Sequence, residues 1–332
     1  MTRPVLITTH GDARTGSGHV LRSQELAQVF ALQSPTFLHL DETGEAARLI
    51  QQRGGSLVTG PLLEAVRTSL PEVLIVDRPD PDAGVLGKVR RAFPALQVVG
   101  LDYFEPDRSA VDLVINLWNR GRDRKRESGH DYYEGLEYAI VRSRFAPFRR
   151  SEAQAVQAVR CALVTFGGAD PRGSTAEAIR VLEDCVPTRL RVDVVVGPFC
   201  TDTALIEQAI QHGRHRYVLH SNPLDVEVVM GSADLAITGG GTTLAELCYL
   251  GVPAIVCPKT VHEHGFAALF ERVGAACLGA TMTDMIAHVK RVFSSPQERR
   301  SMLAKAQALI DGEGPKRILD LVLREKTTVA NA

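Results

Sequence analysis

Glycine-rich loops that directly follow short apolar runs are the feature of this sequence that most constrains its fold. The loop at 239–241 comes after the apolar run Leu235–Thr238 and opens an amphipathic segment. The same order recurs around 16–18 and 167–168. A buried strand, a glycine turn and a helix in that order are typical of parallel sheets covered by helices, which bind ligands at the carboxyl ends of their strands. The sequence therefore predicts an α/β fold with a binding site at these loops.

The alternation of apolar runs and amphipathic segments occurs in two series along the chain. One series ends before the segment 142–152, and a second begins at the apolar run 160–165. The chain has 332 residues, and chains above about 250 residues usually divide their core between domains. We therefore predict two doubly wound domains, 1–147 and 153–310. A C-terminal helix and tail, 311–332, either stays on the second domain or crosses back to the first.

Charge and cysteine usage exclude several classes of function. The 38 lysines and arginines balance 39 acidic residues, for a formal charge of -1 at pH 7, so we expect no nucleic-acid partner. The longest apolar stretches, such as 250–258, are far shorter than the roughly 20 residues that span a bilayer. The six cysteines are scattered singly, without the close pairs of zinc sites or the density of a disulfide scaffold. We expect a cytoplasmic protein with no membrane span and no signal peptide.

The loop after Leu235–Thr238 is the sharpest functional signal. Gly240 and Gly241 have no side chain, so a ligand can approach the backbone closely. The free N–H groups at a helix start favour the binding of a phosphate group. Thr242 and Thr243 add hydroxyls, and Glu246, about one turn further, is placed to accept hydrogen bonds from ribose hydroxyls. The structural alternative is a tight turn in which Thr242 caps the helix and Glu246 stabilises its positive end.

The loop after the first apolar run ends in Gly18 and His19. Its spacing does not fit the Gly-x-Gly-x-x-Gly pattern of dinucleotide sites, because Leu21 stands at the place of the last glycine. The dipole at a helix N-terminus favours the neutral imidazole, which can act as a base. A capping or packing histidine is the alternative.

Other polar residues follow predicted strands. Gly168 belongs to the third glycine loop, which fits a plain turn before a helix at least as well as a binding loop. Asp77 and Asp102 each end an apolar run, and Asp12 precedes His19. Such carboxylates position a histidine or bind sugar hydroxyls, and they are also common helix caps.

The basic run 120–126 and the histidines His262 and His264 are two further candidates for binding sites. The basic run 120–126 either meets an anionic substrate or forms a solvated loop. His262 and His264 flank Glu263, but no third ligand has suitable spacing, so we predict no metal.

Four stretches of the sequence carry a resemblance to a known family. They are DARTGSGHVLR at 12–22, GLEYAIVRSRF at 135–145, LVTFGGADP at 163–171 and ADLAITGGGTTLAELCYLGVP at 233–253. The chain resembles the nucleotide-sugar hydrolases of pseudaminic acid biosynthesis (UDP-2,4-diacetamido-2,4,6-trideoxy-beta-L-altropyranose hydrolase) and related spore-coat polysaccharide proteins. The last stretch also suits the wider glycosyltransferase-B superfamily, including the N-acetylglucosaminyl transferase of peptidoglycan assembly.

The resemblance implies a glycosyltransferase-B fold, in which two Rossmann-like domains face a cleft and the C-terminal domain holds UDP without a metal or other cofactor. His19 matches the family's catalytic histidine, which activates water to release UDP and a free sugar. The predicted site has three groups: the catalytic residues are His19, Asp12 and Asp77; the nucleotide-binding residues are Gly168, Leu219, Gly240, Gly241, Thr242, Thr243 and Glu246; and the substrate-binding residues are Gly18, Arg22, Asp102, Tyr103 and His264.

The sequence departs from the family where the sugar should lie. Arg78 and Pro79 follow Asp77 where the family often carries Asp-His-Tyr, and HEHG at 262–265 replaces the family's Asn-Gln. The leading hypothesis is a UDP-sugar hydrolase, and the alternative is a glycosyltransferase that supplies an acceptor hydroxyl in the same cleft. A noncatalytic nucleotide-sugar sensor, with His19 as a helix cap, is the third hypothesis. The sequence predicts neither the sugar nor the oligomeric state.

Overall fold

Two parallel sheets, one from each half of the chain, form the framework of the protein. The computed structural model describes residues 3–41, 43–79, 82–104, 109–117, 131–155, 157–170, 173–200 and 203–323. The strands of the first sheet are β1 (Val5–Thr9), β2 (Thr36–Leu40), β3 (Leu57–Thr59), β4 (Val73–Asp77), β5 (Gln97–Leu101), β6 (Leu113–Asn116) and β7 (Asp131–Glu134). Their spatial order is β3-β2-β1-β4-β5-β6-β7.

The first sheet is covered by helices. They are α1 (Gly18–Ala31), α2 (Glu45–Gln52), α3 (Leu62–Ser69) and α4 (Ala83–Ala92). Every residue of β1 and β4 is buried. Crossover helices lie on both faces of a parallel sheet, which explains why the sequences of these two central strands are almost continuously apolar.

The second sheet repeats the plan with strands from the second half of the chain. These strands are β8 (Cys161–Thr165), β9 (Arg191–Val196), β10 (Arg216–Ser221), β11 (Leu235–Thr238), β12 (Ala254–Val256) and β13 (Cys277–Leu278). Their spatial order is β10-β9-β8-β11-β12-β13. The predicted α/β fold with two doubly wound sheets is confirmed.

The helices of the second half are listed here in chain order. They are α5 (Glu152–Ala155), α6 (Ser174–Cys185), α7 (Ala204–Gln211), α8 (Val226–Gly231), α9 (Thr242–Leu250), α10 (Val261–Val273), α11 (Met282–Ser294), α12 (Pro296–Leu309) and α13 (Gly314–Leu323). Side-chain oxygens of Thr260, Thr281 and Ser295 cap the starts of α10, α11 and α12. Within the described ranges, no helix has the length and apolarity that crossing a bilayer requires.

In both sheets the strand order reverses beside the first strand of the half. The reversal lies between β1 and β4 in the first sheet and between β8 and β11 in the second. Loops that leave adjacent strands in opposite directions open a crevice at such a switch point. The three glycine loops singled out in the sequence follow β1, β8 and β11, so the topology places all of them at the two crevices.

The segment between the sheets and the last helix connect the two halves. Two 3₁₀ turns, Leu136–Tyr138 and Ser143–Phe148, lie between β7 and α5. Helix α13 crosses back and packs against α1. Arg3 Nη1 donates to the Val322 carbonyl at 3.3 Å, and Arg317 Nη1 donates to the Glu137 carbonyl at 2.9 Å. The domain boundaries given above stay predictions, but this packing favours the second position foreseen for the C-terminal helix.

Candidate functional site

A cavity of about 940 Å³ lies between the two switch points. The loops after β1 and β4 line it from the first half, and the loops after β8 and β11 line it from the second. The halves are in contact beside it, because a Cβ on Gly168 would lie 2.1 Å from the backbone nitrogen of Ser17. The glycine at 168 therefore lets two loop backbones approach each other across the cleft, besides lining the cavity itself.

His19 lines the cavity and is held by a buried carboxylate at the end of β4. Its Nδ1 lies 2.8 Å from Asp77 Oδ1, although the two residues are 58 positions apart in the chain. The Asp77 side chain is fully buried, whereas that of His19 is 21% exposed. Ser23 also donates its hydroxyl to Asp77 Oδ2 at 2.7 Å. Packing of α1 on the sheet thus brings the predicted histidine and one predicted carboxylate together.

Arg22 joins this carboxylate to a second one. Its Nε lies 3.0 Å from both oxygens of Asp77, and its Nη1 donates to Asp102 Oδ2 at 2.8 Å. Burial alone would raise the pKa of Asp77, but the charges of Arg22 and His19 and their hydrogen bonds lower it well below its usual range. Burial would likewise lower the pKa of Arg22, and the two aspartates raise it instead. Both groups of the pair are therefore ionised at neutral pH.

The ionised state of Asp77 fixes the role of each nitrogen of His19. An ionised carboxylate only accepts hydrogen bonds, so Nδ1 of His19 is the donor in their contact. Arg22 Nη2, 3.2 Å from the same nitrogen, is also a donor, so this approach is a contact and no hydrogen bond. In the neutral ring the lone pair then lies on Nε2. A histidine in this state beside a ligand cavity can accept a proton at Nε2.

Asp102 has a strained backbone at the edge of the cavity. Its φ is 49°, in the left-handed region that few residues other than glycine adopt. Its Oδ1 accepts the backbone N–H of Leu117 at 2.9 Å while Oδ2 accepts from Arg22. Aspartate tolerates this conformation better than most residues, and the two hydrogen bonds hold it there.

Asp12 holds the loop before α1 in place through its carboxylate. Its Oδ1 accepts the backbone N–H groups of Arg14 and Thr15 at 2.9 and 2.7 Å, so the carboxylate closes the turn before α1. Burial would raise its pKa, but hydrogen bonds from Thr15, His10 and Arg14 lower it to about 2. The partners that the structure gives Asp12 lie in its own loop and do not include His19, and the catalytic role of Asp12 stays a prediction.

The glycine loop before α9 presents an uncapped helix start to the cavity. The N-cap residue is Gly241, which has no side chain, so Thr242 is the first helical residue and does not cap the helix. A Cβ on Gly240 would lie 2.6 Å from the Glu263 carbonyl oxygen, whereas a Cβ on Gly241 would meet no atom within 4 Å. Gly240 is therefore required by packing against α10, and the open space at Gly241 is what a ligand near the helix start needs.

Glu246 lines the same cavity and is paired with an arginine from the linker, the segment 142–152 between the two halves. Its Oε1 accepts a hydrogen bond from Arg142 Nε at 2.7 Å, and only 8% of either side chain is exposed. Arg142 also lines the cavity and was missed by sequence reasoning. Its only sequence signal is its place in the family-like stretch 135–145.

Three residues that were predicted to contact the substrate or the nucleotide do not line the cavity. Tyr103 is 1% exposed and packs in the core under Gly100. Leu219 in β10 is partly buried and packs against the core of the second half, and Asn222 in the following loop lines the cavity instead. In α10 the cavity is lined by His262 and Glu263 but not by His264, because residues two apart lie on nearly opposite sides of a helix. Tyr103, Leu219 and His264 are not among the residues that line the cavity, so this geometry does not favour the contacts predicted for them, which stay predictions.

The remaining predicted residues take the following places. Gly18, Arg22, Asp102, Gly168, Gly240, Gly241, Thr242, Thr243 and Glu246 all line the cavity, and their roles stay predictions. The basic residues of the run 120–126 lie outside the described residues. Lys259, a further missed residue, lines the cavity and pairs with Asp170 at 3.0 Å. No cluster of three or more potential metal ligands occurs in the described part of the chain.

Part of the chain matches a family model. Residues 207–313 match the model described as the glycosyltransferase family 28 C-terminal domain. This segment includes β11, the loop at 239–241 and α9, which carry most of the predicted nucleotide-binding residues.

Several curated proteins and solved structures are similar to the chain. The spore coat polysaccharide biosynthesis protein SpsG of Bacillus subtilis (strain 168) is 24% identical over 327 residues, which is 94% of this chain and 95% of that protein. The UDP-N-acetylglucosamine--N-acetylmuramyl-(pentapeptide) pyrophosphoryl-undecaprenol N-acetylglucosamine transferase of Xanthomonas oryzae pv. oryzae (strain MAFF 311018) is 28% identical over 168 residues, 46% of this chain and 38% of that protein. The crystal structure of Acinetobacter baumannii MurG superposes with a TM-score of 0.69 and 15% identity, covering 97% of this chain and 100% of that chain.

These comparisons establish the fold and bear on the choice between a transferase and a hydrolase. The names of the relatives describe a transferase and a polysaccharide biosynthesis protein, so the transferase hypothesis fits them better than the hydrolase hypothesis, which they do not support. They give no support to a place in the pseudaminic acid pathway. With its two parallel-sheet, Rossmann-like domains, the protein has the glycosyltransferase-B fold.

Proposed function

We propose that this protein is a glycosyltransferase that moves a sugar from a UDP-sugar to an acceptor hydroxyl in the synthesis of a polysaccharide. The observation that carries the proposal is the position of His19, bound to ionised Asp77, in the same cavity as the open helix start at Gly241. A base on one side and a phosphate-binding helix end on the other are the two groups that metal-free glycosyl transfer requires. The similarity to a UDP-N-acetylglucosamine transferase supports the choice of UDP.

The proposed reaction uses both sides of the cavity in one step. His19 Nε2 takes the proton of the acceptor hydroxyl as its oxygen forms a bond to the anomeric carbon. The bond between that carbon and the diphosphate breaks, and UDP leaves with the electron pair. The N–H groups at the start of α9 stabilise the charge that develops on the diphosphate. Asp77 stabilises the imidazolium that holds the proton until the products leave.

Transfer and hydrolysis share these groups and differ in what occupies the place of the attacking oxygen. Water in that place would give free sugar, which is the outcome of the hydrolase hypothesis. The test is to incubate the purified protein with UDP-N-acetylglucosamine and other UDP-sugars, with and without polyol and oligosaccharide acceptors, and to measure UDP, free sugar and glycosylated acceptor. Acceptor-dependent release of UDP supports transfer. Release of UDP and free sugar in equal amounts, at a rate that no acceptor changes, contradicts it.

Nucleotide binding is tested separately by calorimetric titration with UDP, GDP, CMP and dTDP without added metal. We expect UDP to bind with the highest affinity. Preference for another nucleotide would contradict the proposed donor, and binding of UDP without turnover of any UDP-sugar would favour the noncatalytic sensor.

A further inference from the structure

A cluster of charged side chains lies at the end of the cavity beyond Glu246. Two of its ion pairs are Arg142 with Glu246 at 2.7 Å and Arg144 with Glu227 at 2.6 Å. The charge cluster comprises Arg53 at the end of α2, Arg142 and Arg144 in the linker, Glu25 in α1, Glu227 in α8 and Glu246 in α9. It therefore joins elements of both halves of the protein.

Three polar atoms of the charge cluster are buried without a hydrogen-bond partner among the described residues. They are Arg53 Nε, Arg142 Nη1 and Glu227 Oε2. Arg142 as a whole is only 7% exposed. A buried donor or acceptor left without a partner destabilises the protein. These three atoms are closed off from solvent, but the side chains of Arg53 and Arg142 also line the ligand cavity. The structure gives the Arg53 guanidinium no hydrogen bond among the described residues, so its remaining N–H groups are donors that a molecule bound in the cavity can use.

Arg53 is the least compensated member of the charge cluster. Burial lowers the pKa of its guanidinium, and the nearby charges of Arg142 and Arg144 lower it further, while Glu227 and Glu246 act in the opposite direction. Arg53 lines the cavity from the first half. The other two residues with unpartnered buried atoms, Arg142 and Glu227, belong to the linker and to α8.

The position of the charge cluster along α9 identifies the part of the ligand that reaches it. If the diphosphate lies at the start of α9 and the ribose at Glu246, one turn further, the nucleobase is the next group in line. Apolar side chains line this part of the cavity as well: Leu49 lies one turn before Arg53 in α2, and Val226 and Met230 flank Glu227 in α8. Apolar walls with polar groups between them suit a planar base.

The charge balance argues against a second phosphate at this place. Three arginines face three glutamates in the charge cluster, so its formal charge is zero. A neutral group that offers oxygen acceptors to the arginines satisfies their donors without adding a net charge to a buried site. Uracil has two such carbonyl oxygens, and adenine has none.

We infer that Arg53 is a specificity-determining residue that donates hydrogen bonds to a carbonyl oxygen of the nucleobase. The inference rests on the proposed function, because it takes the ligand to be a nucleotide bound along α9. Since Arg53 comes from the first half and Glu246 from the second, recognition of the base requires both halves to be in contact.

The test measures UDP, uridine and pyrophosphate affinities of the full chain and of the Arg53→Met variant by calorimetry. We expect Arg53→Met to lower the affinity for UDP and for uridine by about tenfold, which is the effect of one lost hydrogen bond to a charged group. The affinity for pyrophosphate should not change. Arg48→Met is the matched control, since the Arg48 side chain is on the same helix, 73% exposed and paired with Glu45. Arg53→Lys keeps the charge with fewer donors and provides a second variant should Arg53→Met not fold.

The outcomes separate this inference from the proposed function. If the unaltered protein binds UDP and Arg53→Met binds it equally well, the inference is wrong and the proposed function stands. Equal losses for UDP and pyrophosphate would assign Arg53 to the phosphates and also contradict the inference. If the unaltered protein binds no nucleotide, the proposed function is wrong and the inference is wrong with it.

Discussion

The contact between His19 and Asp77 makes the histidine the residue whose substitution is most informative. We predict that His19→Ala lowers turnover of a UDP-sugar by about 100-fold or more, because the base is lost, and leaves the Kd for UDP within about twofold. Steady-state kinetics and calorimetry measure the two quantities. His212→Ala, a substitution of an exposed histidine directly after α7, is the control. Turnover of His19→Ala at the unaltered rate would show that the histidine does not act as the base.

Asp77 also gives the protein a specific dependence of stability on pH. The pKa of Asp77 is lowered in the folded state, so in acid the unfolded chain binds a proton that the folded chain does not. Its contribution to the free energy of unfolding is therefore fully present above about pH 4, the ordinary range of the group, and is lost as the pH falls further. We predict that the difference in unfolding free energy between the unaltered protein and Asp77→Asn, measured in urea, decreases from pH 6 to pH 3. A difference that stays constant would contradict the assignment.

At the scale of the element, the start of α9 is where two neighbouring glycines have different tasks. We predict that Gly240→Ala destabilises the fold by about 1–3 kcal/mol, because its Cβ would overlap the Glu263 carbonyl. Gly241→Ala should leave the melting temperature nearly unchanged, since the φ of Gly241 is -90°, which suits alanine, and the space around it is open. The same substitution should lower the affinity for UDP by about tenfold, because the added methyl group keeps the phosphate away from the backbone. Thermal unfolding and calorimetry of both variants provide the comparison. Unchanged UDP affinity in a folded Gly241→Ala protein would contradict phosphate binding at this helix start.

The elements show which sequence patterns predict structure well and which do not. Strands β8 and β11 lie on the apolar runs 160–165 and 235–238 that predict them, because a buried strand is encoded in a few consecutive residues. Strand β7, Asp131–Glu134, reads as a polar segment and joins the sheet as an edge strand through pairing with β6. That pairing is a property of the neighbour and not of the segment's own sequence.

At the scale of the whole molecule, the C-terminal helix links the two halves. Ile318, Leu319 and Val322 of α13 are buried in a core shared with α1. We predict that Ile318→Ala lowers the free energy of unfolding by about 2–5 kcal/mol, the cost of a cavity in a packed core. Lys316→Ala, an exposed position on the same helix, should change it little. Denaturant unfolding measures both, and an Ile318→Ala protein as stable as the unaltered one would show that α13 is not needed for the packing of α1.

The sequence by itself determined the α/β class, the two series of strands and the three glycine loops that carry much of the candidate site. These features are local, since hydrophobic periodicity and glycine turns are encoded within about ten residues. The tertiary structure decided which polar residues meet. Asp77 reaches His19 across 58 positions and Arg142 reaches Glu246 across 104, while Asp12 turns into its own loop and Tyr103 into the core. Such contacts depend on strand order and on the packing of the two halves, which no local pattern in the sequence encodes.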